Sequence, residues 1–448
     1  MTWRRRRGVW TGAAVAALAL AACGSSSTSS SSGGGGGGSS SASTTSIGGS
    51  VTVWAVWSGT EQKDFQQVLS GFQQQSGVTP TYASKGDQLP TVLTSAIAGG
   101  APPDVAVLPQ PGLLHDLVAK GALKPLDDVA GDIVSSDYAS VWKTLATDGG
   151  KLYGVYFKGA NKSTIWYNVK TFQAAGISSP PKTFDDLVTD MGTLKQLGVT
   201  PFSMCGGSGW TLTDWFENIY LRTAGVDNYN KLAKHEIPWT DPSVATAFTF
   251  LQKIFGDASN MLGGVQGAVS TPFPDCVNPV FGNGNKAAMV YEGDFVGSVI
   301  PTLNGSPQPG TDFDYFPFPS INGSPPSVSG GGDVAVMLHD TPQARALIKY
   351  LASPDAGTIW AKLGGFTSTN KKVDTSVYPN AIAKKAAQDL INAGDNVAFD
   401  MSDQAPAAFG GTAGSGEWGD LQAWVRNTAD AQGTLAKLEA DAKSAYGH

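Results

Sequence analysis

Between residues 51 and 110 the sequence alternates short apolar runs with helical stripes, and this alternation restricts the fold more than any other feature. "VTVWAV" (Val51–Val56) is β-branched and apolar. Phe65, Val68, Leu69 and Phe72 then recur at i, i+3, i+4 and i+7, one face of a helix. "TPTYAS" reads as a second strand, and Leu89, Val92, Leu93 and Ile97 mark a second helix. "PDVAVLP" is a third strand, short and apolar throughout, as strands buried on both faces are. Strand, helix, strand, helix, strand predicts a parallel sheet with helices on its faces. Ligands of such sheets bind outside the carboxyl ends of the strands. The loops there are "WSGTEQ", "SKGDQ" and "PQPG".

The chain has 448 residues, more than one hydrophobic core serves, so two lobes are expected. A second unit opens near "GVYFKGANKSTIWYN". Helices are predicted over 183–197, 214–223 and 243–255, and strands in "KAAMVYEGDF" and "DYFPFP". "GGGDVAVML" reads as a Gly-rich turn followed by a strand. Ala344, Leu347, Ile348 and Leu351 mark a further helix, and a last pair spans 416–427 and 435–445. No internal repeat is visible.

The N-terminus reads as an export signal over residues 1–22. Arg4 to Arg7 form its charged start, and the apolar run Ala13–Ala22 is too short to span a bilayer. Leu20-Ala21-Ala22-Cys23-Gly24 resembles the lipobox of bacterial lipoproteins, in which the cysteine thiol is acylated and becomes the new N-terminus. The expectation is an extracytoplasmic protein anchored to the cell membrane through Cys23. Residues 24–49 are almost all Ser, Gly, Thr and Ala, cannot bury apolar surface, and read as a flexible tether. The net charge of −7 argues against nucleic acid or an anionic membrane face as partner. Beyond Cys23 only Cys205 and Cys276 remain. Outside the cell they are expected to pair, with two buried free thiols as the alternative. The four histidines are scattered and no Cys/His spacing suggests zinc, so neither metal nor cofactor is expected.

Several stretches together resemble the extracellular solute-binding proteins of carbohydrate ABC importers, the family that includes maltose-binding protein. They are "GGAPPDVAVLPQPGLLHDLVAKGALKPLDD", "KLYGVYFKGANKSTIWYNVKTFQAAGI", "KAAMVYEGDF" and "RALIKYLASPDAGTIWAKLGGFTSTNKKV". "SGWTLTDWFENIYLRTAG" is most similar to the α-glucoside-binding branch. The resemblance covers nearly all of the chain from Val51. It implies a periplasmic-binding-protein-like α/β fold: two α/β lobes joined by a hinge, with ligand in the cleft between them. Mapped by order, lobe 1 is 50–158 plus 333–375 and lobe 2 is 159–332 plus 376–448. The implied partners are a small carbohydrate and the permease subunits of an ABC importer, and the implied state is a monomer. ATP hydrolysis belongs to another subunit, since the chain has no GxxxxGK[ST] motif.

A sugar offers apolar C–H faces, which pack on aromatic rings, and a hydroxyl edge, which needs paired donors and acceptors. The chain holds 12 tryptophans. Trp57 lies in the first strand–helix loop. Trp210 and Trp215 bracket Asp214, where Thr213 or Asp214 caps a helix and leaves Trp210 in the preceding loop. Trp418 lies near the start of the C-terminal helix pair, where order places a sugar-stacking tryptophan of the family. These four are the stacking candidates. For the polar edge the candidates are Glu61, Lys85 and Asp87 in the first loops, and Gln110 after the third strand. Asn161 and Lys162 flank the hinge, Glu292 and Asp294 follow "AAMVY", and Asp333 follows three glycines that permit close backbone approach. Packing, or a solvated loop charge, is the bland alternative for each.

Other readings have their own signatures. Glu292 and Asp294 would supply the two carboxylates of a glycoside hydrolase. A polyol, glycerol phosphate or peptide would suit the same fold. An adhesin would show repeats or all-β modules, and neither is visible. "GGGD" precedes a strand, whereas a dinucleotide fingerprint follows one.

Overall fold

The computed structural model describes residues 46–282, 284–394 and 397–447. The export signal, Cys23 and the tether up to residue 45 lie outside the described residues.

The first strands follow the expected alternation. They are β1 (Ser50–Ala55), β2 (Thr79–Ser84) and β3 (Val105–Leu108). Next come β4 (Thr147–Asp148), β5 (Lys151–Leu152), β6 (Gly154–Asn161), β7 (Thr164–Asn168) and β8 (Thr200–Phe202). The rest are β9 (Ala287–Tyr291), β10 (Phe313–Pro317), β11 (Ser329–Met337), β12 (Thr367–Ser368) and β13 (Ala398–Phe399). β1 turns Val51, Val53 and Ala55 inward, and every residue of β3 is buried. The helix Gly59–Ser76 buries Phe65, Val68, Leu69 and Phe72 and stops at Gly77, whose φ of 71° suits a residue without Cβ.

Seven strands form one sheet in the order β12-β6-β11-β3-β1-β2, with β13 added beside the start of β11. β1 is parallel to both β2 and β3, while β11 runs antiparallel to β3 and to β6. Four strands form a second sheet, β10-β7-β9-β8. β4 and β5 make a separate hairpin. Each large sheet has its own apolar core. Val53, Phe65, Val107 and Trp360 lie in the first, and Phe202, Trp215, Phe248 and Trp424 in the second. The chain leaves the first sheet at Asn161 and enters the second at Thr164. It returns between Pro317 and Ser329, and β13 makes a later contact with the first sheet.

Two local expectations are corrected. The glycines of "GGGDVAVML" do not form a turn. Gly330, Gly331 and Gly332 lie inside β11 and pair with Asn161, Ala160 and Gly159 of β6. Their lack of side chains serves close packing: a Cβ on Gly331 would stand 2.8 Å from Lys162 Cε, and one on Gly332 would stand 2.9 Å from the Lys158 carbonyl oxygen. Likewise Trp210 is not in a loop. It opens the helix Trp210–Ala233, with Gly209 at φ 101° in the cap position, and Thr213 Oγ1 donates back to the Trp210 carbonyl at 2.6 Å. Glycine took the cap place that the threonine pattern suggested.

The Cys205–Cys276 disulfide is present, joining Cα atoms 5.3 Å apart. It ties the segment that follows β8 to the loop holding Phe273 and Asp275. No helix among the described residues is long and apolar enough to cross a membrane.

Candidate functional site

A cavity of about 450 Å³ opens between the two sheets, within the usual range for a small-molecule site. The first sheet contributes Trp57 and Glu61 after β1, Asp87 after β2 and Gln110 after β3, together with Lys158 on β6 and Asp333 on β11. These are the carboxyl ends of β1, β2 and β3, where an open α/β sheet places its ligand. The opposite wall carries Trp210, Phe295 and Trp418, with Phe273 and Asp275 from the loop beside the disulfide. Lys162 and Asp403 complete the lining.

The two lysines hold the floor. Lys158 lies on β6 directly opposite Asp333, where the β6–β11 register shifts and Phe157 is left without a partner. Such a bulge re-aims side chains at the edge of a site. The Lys158 ammonium bonds Glu61 in the first turn of the helix Gly59–Ser76, and it lies within 6 Å of the Trp57, Trp360 and Phe295 rings. Burial alone would lower its pKa, but Glu61 and Asp333 outweigh that and raise it. Asp333 is pushed up to about 6 by burial, with Lys158 pulling the other way.

Lys162 sits in the crossing between β6 and β7. Its ammonium bonds Asp400 and lies 3.3 Å from Asp214 and 3.5 Å from Asp403. These carboxylates overcome the burial that would depress it and hold its pKa well above the ordinary value. Two groups pin the crossing backbone itself: Asn218 Nδ2 and Tyr291 Oη donate to the Lys162 carbonyl at 3.0 and 2.8 Å. Behind Lys162, burial pushes the Asp214, Glu217, Glu292 and Glu417 carboxyls well above the usual range. Asp400 moves the other way: burial opposes, but Lys162 wins and lowers it. Asp214, Glu217 and Asp400 bring carboxylate oxygens within 4.8 Å of one another, the one grouping of metal-ligating side chains among the described residues. Lys162 already rests against two of them, so the chain supplies its own cation there.

Eight of the sequence candidates line the cavity: Trp57, Glu61, Asp87, Gln110, Lys162, Trp210, Asp333 and Trp418. Six do not. Lys85 lies over the Trp54 ring at 3.9 Å. Asn161 turns its side-chain oxygen onto the Ser163 amide. Asp214 is fully buried behind Lys162, and Glu292 is buried beside it. Trp215 packs in the second core against Tyr291 and Phe202. Asp294 is buried, accepts a hydrogen bond from Thr367 at 2.5 Å, and is pushed up to about 6 by burial.

Trp57 faces two ways. It lines the cavity yet is 3 % exposed and packs on Phe65 and Trp360, each at 4.8 Å. Gln110 Oε1 and Trp418 Nε1 are buried polar atoms with no hydrogen-bond partner among the described residues, and both belong to residues of the cavity wall. Such atoms are costly unless a ligand or water meets them. Lys158, Phe295, Asp275 and Asp403 line the cavity without having been singled out in the sequence. A lone lysine in the apolar run "GVYFKGA" was the one available signal.

The family profile of bacterial extracellular solute-binding proteins matches residues 57–358. The chain belongs to this family. It is 33% identical over 375 residues to the osmoprotective compounds-binding protein GgtB of Synechocystis, covering 82% of this chain and 87% of GgtB. It is also 33% identical over 379 residues to the alpha-glucosides-binding periplasmic protein AglE of Rhizobium meliloti, covering 81% of each. Among solved structures, the bacterial solute receptor AcbH superposes with a TM-score of 0.75 at 20% identity, over 88% of this chain and 98% of AcbH. Maltose-bound MalE3 of T. maritima superposes with a TM-score of 0.70 at 16% identity, over 88% of this chain and 99% of MalE3. The fold is the two-lobed α/β architecture of periplasmic binding proteins. In this solute-binding protein the cavity described above occupies the place between the lobes.

Proposed function

We propose that this solute-binding protein is the extracytoplasmic carbohydrate receptor of an ABC importer, that it takes a short α-glucoside, and that acylated Cys23 holds it at the membrane. The observation that carries the reading is the composition of the cavity wall. Tryptophans from the second-sheet side, Trp210 and Trp418, face hydrogen-bonding groups from the first, Gln110 and Asp333. That pairing matches the apolar face and hydroxyl edge of a sugar ring. The relationship to AglE, an alpha-glucosides-binding protein, supports the α-glucoside class.

The reading is of a binder rather than an enzyme. Glu292 and Asp294, the carboxylates a hydrolase would need, are both buried, and neither lines the cavity. The lobe limits we favour follow the sheet crossings, at 162–163 and within 318–328.

Thermal unfolding against a panel of α-glucosides, β-glucosides, monosaccharides and polyols tests the assignment. A ligand specific to the folded form adds about 2.7 kcal/mol at a hundred times its dissociation constant. A raised midpoint with trehalose, maltose or sucrose is expected, and Trp418→Ala should weaken binding at least tenfold. A panel in which polyols shift the midpoint and sugars do not would reject the carbohydrate reading.

A further inference from the structure

The cavity has an electrical bias that the sugar reading does not require. Five acidic side chains line it, Glu61, Asp87, Asp275, Asp333 and Asp403, of which burial pushes Asp333 up to about 6 and Asp403 well above the usual carboxylate range. The cationic side chains on its wall are Lys158 and Lys162 alone among the described residues, and neither is free to meet a ligand anion. The Lys158 side chain is 3 % exposed, its ammonium bonds Glu61, and it faces Asp333 across the β6–β11 ladder. The Lys162 ammonium is shared by Asp400, Asp214 and Asp403. Asp87 and Asp275 reach the cavity from opposite walls, both are exposed, and neither forms an ion pair with a described residue. Gln110 and Trp418, on opposite walls, each hold a buried polar atom, Oε1 and Nε1, with no hydrogen-bond partner among the described residues.

A phosphate or carboxylate on the ligand would therefore lose water and find no available ammonium or guanidinium. It would also stand in the field of carboxylates on both sides, in a cleft whose low-dielectric walls focus that field. A hydroxyl loses nothing by comparison, because carboxylates and amides accept from it. A protonated amine gains a charge-assisted bond.

Resting on the carbohydrate reading, we infer that the site selects its saccharide by charge: it takes neutral sugars, prefers those bearing a protonated amine, and refuses sugar phosphates and uronic acids. Asp87 and Asp275 are the residues that set this preference, because their carboxylates have no counter-ion among the described residues.

The test uses matched triplets: trehalose, maltose and sucrose, each with its 6-amino-6-deoxy and 6-phospho derivatives, titrated calorimetrically at about 20 mM ionic strength. For a parent that binds, the amine should bind about three- to tenfold more tightly and the phosphate at least about tenfold more weakly. The ratio between amine and phosphate should shrink at 0.5 M salt, where exposed charges are screened within a few ångströms. It should shrink again in Asp87→Asn/Asp275→Asn, whatever common loss that variant shows. A neutral parent that binds, with derivatives of equal affinity or with the phosphate tighter, overturns charge selection and leaves the carbohydrate reading standing. An unchanged ratio in the double variant overturns the role given to these two residues. No binding by any neutral parent overturns both.

Discussion

A carboxylate in this protein is set by the balance between its burial and the cation it reaches. Asp400 meets Lys162 and is held ionised, while Asp294 and Asp333 keep protons up to about pH 6 because burial outweighs Lys158. For the latter two, the folded state binds a proton that the unfolded chain has lost above pH 4. The stability they contribute is complete below about pH 4 and disappears as pH rises through 6. Replacing Asp294 with Asn removes its share of that loss. The unfolding midpoint of Asp294→Asn relative to the wild type should rise between pH 4 and 6 and level off above, and a constant difference across that range would reject the assignment. Residues near strand ends were the legible ones: Trp57, Glu61, Asp87 and Gln110 follow from the alternation alone, since parallel strands place their ligand loops at one edge. Lys158 and Asp403 were not legible. Lys158 is aimed by a register shift between distant strands, and Asp403 reaches the cavity from a short helical turn, Met401–Gln404, that no hydrophobic period announces.

At the scale of elements, β11 shows what the triple glycine is for. The strand runs between β3 and β6, and the Lys162 stem crosses its Gly331 backbone with no room for a methyl group. Because three carboxylates fix that lysine, it cannot retreat at no cost. Gly331→Ala should destabilise by about 1–3 kcal/mol, as overpacking does. Gly192→Ala provides the contrast. It lies in the helix Phe184–Gln196 with open space around its Cβ position, and should stabilise by about 0.5–1 kcal/mol. Chemical denaturation of the two variants checks both signs. Strand and helix types were readable wherever the period was strong, as in Phe184–Gln196 with its Thr183/Asp186 capping box. Glycine signals a turn locally, whereas the place of this run in a strand follows from distant neighbours: Val397 beside Gly330, the Lys162 stem over Gly331, and Trp142 with the Lys158 carbonyl against Gly332. The helix at Trp210 started early for a related reason: Gly209 lies against the Trp418 backbone, a contact between segments two hundred residues apart.

For the whole molecule, two separate cores share a chain that crosses between them more than once, and the cavity forms where the crossings run. This much was legible in length and pattern, because a chain of this size needs two cores and the α/β order constrains each. The position of one lobe's wall against the other was not, since it depends on contacts such as Gln110 Nε2 donating to the Gly410 carbonyl at 3.2 Å. Anchoring is also a property of the whole. If acylated Cys23 is the tether, Cys23→Ala should move the protein from the membrane fraction into the medium while ligand binding in solution is retained. Equal partition of the two forms would reject it.

The cavity wall draws its residues in turn from positions near 57, 87, 110, 160, 210, 275, 300, 333, 403 and 418. Neither half of the gene therefore encodes a complete recognition surface. Recombination between relatives would splice a wall adapted to one solute onto a floor adapted to another. New specificities in this lineage should arise by scattered point changes rather than by exchange of blocks, and a designer redirecting the receptor would have to edit many short loops at once.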